Sequence, residues 1–237
     1  MSNQKNFRLA GIGIGCMVDQ ASASLPWWTH PHPPFVMAIR RLLRLCIFVF
    51  LVLSAADLQA AKFSRVVIDS GHGAQDNGAR IGYIYEKHLA LDVARRLERY
   101  LNAQGIRTVM TRTTDVFIPL EERSELANKT RDSILVSIHF NMVNYAGPKG
   151  VEAWFYNEEG RNLATFVQEE IVSSLRTANR GVKFARYKIL RTCTRPAVLV
   201  EGGFISTKED LKRCLDPKYR EALAISIGNG LLRYRKS

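Results

Sequence analysis

"VVIDSGHGAQDNGA" (Val66–Ala79) sets a short run of valine and isoleucine against a glycine-rich loop that carries one histidine, His72. The run stops at Asp69, so the loop leaves directly from the end of what reads as a buried strand. A metal ligand and a hinge are the two readings of a histidine so placed. Two further runs of the same kind follow, "ILVSIH" (Ile134–His139) and "AVLVE" (Ala197–Glu201). All three are nearly continuous in Val, Ile and Leu rather than alternating, as expected of strands covered on both faces in a mainly parallel sheet.

Helical patterns separate the runs. In "EKHLALDVARRLERYLNAQG", Leu89, Val93, Leu97 and Leu101 recur four apart, and Gly105 closes the segment. "IRTVMTR" (106–112) reads as another strand, "PLEERSELANKT" as a short helix opened by Pro119. "GVEAWFYN" (150–157) alternates, which suits a strand nearer an edge. Two more helices carry Leu163, Phe166, Val167, Ile171 and Leu175, and then Tyr219, Leu223, Ile227 and Leu231, on single faces. The expected fold is α/β: a mainly parallel central sheet with helices on both faces, in a single catalytic domain over residues 62–237.

The region before that domain reads differently. From Met37 a basic start (Arg40, Arg41, Arg44) leads into an apolar stretch, Leu45 to Leu53, and then into small residues. That is the layout of a signal peptide over residues 37–60, cut after Ala56 or Ala60, and its apolar part is shorter than the ~20 residues that span a bilayer. Residues 1–36 read as a disordered leader or a mis-assigned start, so His30 and His32 carry little weight. The expected location is periplasmic or secreted, with no transmembrane segment after cleavage. The chain has 34 basic and 22 acidic residues, a formal net charge of +12, and only five of the basic and two of the acidic ones precede Lys62. A basic exported domain suits anionic surroundings, but the scattered cations, with no aromatic interleaving, do not suggest nucleic acid. Export leaves Cys193 and Cys214, which could pair in an oxidising compartment or stay as buried thiols; the disulfide is the expectation tested below.

Asp69, His139 and Glu201 each end a buried run, and ligands of open α/β sheets bind beyond the carboxyl ends of the strands. His72, three residues past the first end, falls in the same crevice. Asp69 is expected to brace the loop or orient His72 rather than to bind metal. Glu86 opens the long helix on the face that packs on the sheet, so its carboxylate points to the sheet edge; His88 lies about 200° round the wheel from it. Taken singly, Glu86 reads as a first-turn carboxylate favoured by the helix dipole. Together, His72, Glu86 and His139 form a His₂Glu set, the ligand type of a catalytic zinc site with one open position. Glu201 is then the base, close enough to take a proton from water at that position and return it to a leaving group. Gly71 and Gly73 would let the backbone turn His72 inward.

With these residues in place, the sequence resembles the zinc-dependent N-acetylmuramoyl-L-alanine amidases of bacterial cell walls, the type 3 amidase catalytic domain. The likeness covers nearly all of residues 64–234 and runs in order through "IDSGHGAQDNGA", "YEKHLALDVARRL", "TRTTDVFIPLEERSELAN", "LVSIHFN", "GVEAWFYN" and "RPAVLVEGGFIS". It implies that His72, Glu86 and His139 bind one Zn²⁺ and that Glu201 is the catalytic glutamate. It also implies that the substrate is peptidoglycan, cut between N-acetylmuramic acid and the L-alanine of the stem peptide. Ser70 stands where the family usually has proline, and Thr207 where it usually has asparagine. Only "FNMVNYAGPKG" separates His139 from the next strand, too short for the helical plug that covers the site in many periplasmic relatives. A monomer is expected, with targeting from the basic surface or from a protein activator. Two other readings remain on the same scaffold: a non-catalytic peptidoglycan-binding or amidase-activating protein, and a zinc peptidase or deacetylase acting on other bonds.

Overall fold

The computed structural model describes residues 62–143 and 147–237, together with a few helical positions before them (35, 38, 39 and 42–44). The expected leader and signal peptide therefore lie almost wholly outside the described residues. Among those that are described, no helix is long and apolar enough to cross a membrane.

Six strands form one sheet: β1 (Arg65–Ser70), β4 (Arg107–Met110), β5 (Ser133–Asn141), β6 (Val151–Phe155), β7 (Asn179–Phe184) and β8 (Ala197–Phe204). Their order across the sheet is β4-β1-β5-β8-β6-β7. Only the β6–β8 contact is antiparallel; β6 pairs parallel with β7, so the last two strands run against the other four. A two-stranded hairpin, β2 (Arg80–Ile81) and β3 (Ile84–Tyr85), links the first loop to helix α1 (Glu86–Ala103).

The continuous apolar runs are covered on both faces, as their composition requires. Val66, Ile68, Ile134, Val136, Ile138, Val198 and Val200 face α1, α3 (Glu158–Leu175) and α6 (Pro217–Lys236). Val67, Leu135, Ala197 and Leu199 face the other way, against Ala127 of α2 (Leu120–Lys129) and Ile189 and Leu190 of α4 (Lys188–Arg191). Each such side chain taken from water stabilises the fold by ~1.5–3 kcal/mol before entropy is counted. The last short helix, α5 (Lys208–Leu215), precedes α6.

Several expectations need adjustment. Pro119 is the N-cap of α2 rather than its first residue. The alternating stretch at 150–157 gives β6, but the edge outside it is β7, which the sequence reading did not find. All three apolar runs continue past their polar residues, β1 by one residue to Ser70, β5 to Asn141 and β8 to Phe204, so His139 and Glu201 sit within strands. The disulfide is not formed: Cys193 and Cys214 are free and buried. They belong to separate cores on opposite faces of the sheet, which keeps the two thiols apart.

Candidate metal centre

Strand register aligns half of the site. His139 of β5 pairs with Glu201 of β8, which pairs with Glu152 of β6. Directly opposed residues share a face, so the three side chains form a row on the α2/α4 face of the sheet. Asp69 pairs with Ser137, two residues before His139, and so lies on that face as well.

The other half comes from the loop after β1, which must reverse sharply. His72 has φ 61° and Ala74 φ 47°, left-handed values that cost non-glycine residues energy. The loop is closed by reciprocal backbone bonds between Gly73 and Asp76, at 2.9 and 3.0 Å. Two buried arginines hold it from behind. Arg112 donates to the carbonyls of Ser70, Gly71 and Lys87. Arg123 donates to the carbonyls of Ser70, His72 and Ile118 and pairs with Asp69 at 3.0 Å. Asp69 also accepts from Thr111 and Ser137. Bracing the loop is therefore its work.

Orienting His72 falls to Asp76, which the sequence reading passed over: its Oδ1 lies 2.9 Å from His72 Nδ1. Ser70 is one of the two departures from the family pattern read in the sequence. Its amide donates to Thr111 Oγ1 at 3.3 Å, a bond proline would lack. Thr207, the other departure, makes no side-chain cap for α5; its hydroxyl donates to Phe204 O instead.

Glu86 joins the two halves. As the first residue of α1 it turns its carboxylate into the protein, where Oε2 accepts from Ala79 N at 2.8 Å and Oε1 from Phe140 N at 3.0 Å. His139 Nδ1 lies 2.8 Å and His72 Nε2 3.1 Å from the same Oε1. Burial opposes a charge on Glu86, yet the bonds from His139 and then His72 hold its carboxyl well below the usual range. Burial likewise works against a proton on His72, but Glu86 and then Asp76 raise it. His88 faces away and is half exposed near Asp115.

One ligand atom from each of His72, Glu86 and His139 lies within 4.8 Å of the others, so the three could hold one metal ion. Backbone approach is tight around them. A Cβ on Gly71 would run into the His139 ring, and one on Gly78 would stand 2.5 Å from Glu86 Oε2. The fit is that of a cation site: two imidazoles and a carboxylate, the His72 ring oriented by Asp76, in a cradle with no room for a side chain. The cleft over the site has a volume of about 510 Å³ and is lined by the three residues with Leu120, Asn141, Tyr187, Leu199 and Glu201, among others.

Glu201 is buried in that cleft, and its Oε2 has no hydrogen-bond partner. Burial, then Glu86 and Glu152, push its carboxyl well above the usual range. Glu152 differs: it is buried but satisfied, bonded to Asn141, Arg180 and Lys183.

A family model described as N-acetylmuramoyl-L-alanine amidase matches residues 66–233. The chain belongs to that family. It is 33% identical over 173 residues to the N-acetylmuramoyl-L-alanine amidase LytC of Bacillus subtilis, over 71% of this chain but only 35% of that one. The germination-specific amidase of the same organism is 30% identical over 186 residues, covering 71% of this chain and 78% of the relative. Among solved structures, the N-acetylmuramoyl-L-alanine amidase of Clostridium difficile 630 superposes with a TM-score of 0.70 at 36% identity, over 73% of this chain and 97% of that one. The fold and membership of this amidase family, expected from the sequence, are thereby established.

Proposed function

We propose that this protein is an exported zinc amidase that cleaves peptidoglycan between N-acetylmuramic acid and L-alanine, with His72, Glu86 and His139 holding the ion and Glu201 moving the proton. The observation that carries the reading is the Glu201 carboxyl: buried, with an oxygen bonded to nothing, and sharing a cleft with a converged His₂Glu set. A buried polar atom without a partner is costly, and a catalytic role is one of the few reasons to keep one.

His72 presents Nε2 because Asp76 occupies Nδ1, while His139 presents Nδ1. Zinc at these ligands would supply Lewis acidity to the scissile carbonyl and to water. Glu201 accepts the proton of the attacking water at its free oxygen and delivers it to the departing alanine nitrogen. The first transfer needs the carboxylate, which positive charge held by the three ligands favours. The second needs the acid, which burial favours. Leu120, Leu199 and Tyr187 wall the cleft and limit competing water.

The basic charge of the chain suits an anionic wall polymer, and a leader of the kind read at residues 37–60 would deliver it there. The test is digestion of purified sacculi by the full chain with zinc, followed by mass spectrometry. Free stem peptides beginning with L-alanine, released from intact glycan, are the expected products. Fragments cut within the peptide or the glycan would overturn the reading.

A further inference from the structure

The His72–His139 pair stands between two cavities. On one side is the 510 Å³ cleft, which holds Glu86, Asn141 and Glu201. On the other is a cavity of about 280 Å³, set between Asp69 and Asp76 and the Phe117–Leu120 segment that leads into α2. His72, His139 and Leu120 line both, whereas Glu201 lines only the first. Phe117 is 43% and Leu120 47% exposed, so the second cavity is walled at the surface rather than sealed inside.

The two cavities offer opposite chemistry. In the second, the polar groups of the floor are already engaged. Arg123 donates to Asp69 and to the carbonyls of Ser70, His72 and Ile118, and Asp69 also accepts from Thr111 and Ser137. What is left for a ligand is the apolar wall of Phe117, Ile118 and Leu120, with the carboxylate of Asp76 beside it. Such a place suits an uncharged, partly apolar group and repels an anion. Around the cleft the balance is reversed. Asn141 lines it and bonds Glu152, and that one carboxylate is shared by two cations, Arg180 and Lys183, with side chains 33% and 31% exposed. One positive charge is in excess there, and it favours an anionic group nearby.

The amide to be cut has two unlike ends. On the amidase reading above, on which this inference rests, Glu201 delivers a proton to the departing alanine nitrogen. That nitrogen, and the stem peptide behind it, must then lie in the cavity that holds Glu201. The carbonyl substituent is left to point into the other. The charges agree, because the stem peptide carries carboxylates whereas the muramic acid has used its only one to make the amide. We propose that the substrate lies across the His72–His139 pair in this one direction. The stem peptide occupies the Glu201 cleft, and the lactyl ether, with the sugar that bears it, occupies the Phe117–Ile118–Leu120 cavity.

The test is calorimetry on the full chain with one probe for each half of the substrate. One probe is N-acetylmuramic acid reduced at its carboxyl to the alcohol, uncharged and with no bond to cut; the other is the stem tripeptide. The wild type is expected to bind both. Phe117→Ala should bind the muramyl alcohol about tenfold more weakly and the tripeptide as the wild type does, and Phe117→Leu should recover most of the loss. Lys183→Met should weaken the tripeptide alone, about threefold, and added salt should likewise weaken the tripeptide and spare the alcohol. An alcohol that does not bind, that Phe117→Ala binds unchanged, or that loses affinity with Lys183→Met would overturn the orientation, as would a tripeptide weakened by Phe117→Ala. Stem peptides released from sacculi by the same preparation would show that the amidase reading survives that failure. The crossed pattern without any such release would remove the amidase reading and leave the two sites.

Discussion

His139 and His72 arrive at the same carboxylate by opposite means. His139 stands within strand β5, paired with Glu201 of β8 and one residue past the last pair that β5 makes with β1, so the strand itself sets its direction. His72 stands on a reversing loop at φ 61°, and its direction depends on Asp76 in front and on Arg112 and Arg123 behind. A strand sets the place of a ligand through repetition, whereas a loop needs a dedicated set of polar contacts for one residue. The loop half of the site should therefore be much the more sensitive to polar substitutions outside the ligands.

The largest difference is expected from Arg123→Ala. It removes a buried ion pair and leaves Asp69 and three carbonyls short of donors. Breaking such a pair costs about 3–5 kcal/mol, which a shift of the denaturant midpoint would register. A change below about 1 kcal/mol would mean that the loop holds itself. Asp76→Ala should act on the metal more than on the fold. Removal of an orienting partner typically weakens metal affinity about 10–100-fold, and zinc competition titration would measure it; unchanged affinity would assign the orientation of His72 to the backbone alone.

On the strand side, Ser137→Ala removes one bond to Asp69 and should cost only about 1 kcal/mol, with zinc affinity nearly unchanged. A large loss of zinc there would erase the contrast between the two halves. The smallest effect concerns the thiols. Reductant should leave the melting temperature unmoved, and a thiol reagent should find Cys193 and Cys214 only after unfolding, because both are buried and unpaired.

The same contrast explains what the sequence made legible. The buried runs of β1, β5 and β8 announce themselves by composition, and the residues at or near their ends, with Glu86 at a helix start, follow from strand direction and helix periodicity. Asp76 was missed because its contact needs the chain to fold back across Gly73, and nothing periodic marks that reversal. Arg112 and Arg123 carry side chains that usually signal surface, and only their carbonyl partners reveal them as interior. Strand β7 escaped notice because Gly181 at φ 82° and a register shift beside it break the alternation that would have betrayed a strand. The unpaired cysteines follow from which face of the sheet each one meets, a fact of three dimensions that spacing along the chain does not carry.

The division between ligands and base is tested most directly by Glu201→Gln, measured for zinc content and for sacculus hydrolysis on the same preparation. Glutamine keeps the shape of the side chain but cannot take a proton from water. The account predicts a full complement of zinc with hydrolysis reduced about 10²–10⁴-fold, the usual contribution of a general acid-base group. His72→Ala, in parallel, should lose zinc and activity together. Loss of zinc from Glu201→Gln would make Glu201 a ligand and contradict the assignment. Retention of near-full activity would contradict the mechanism.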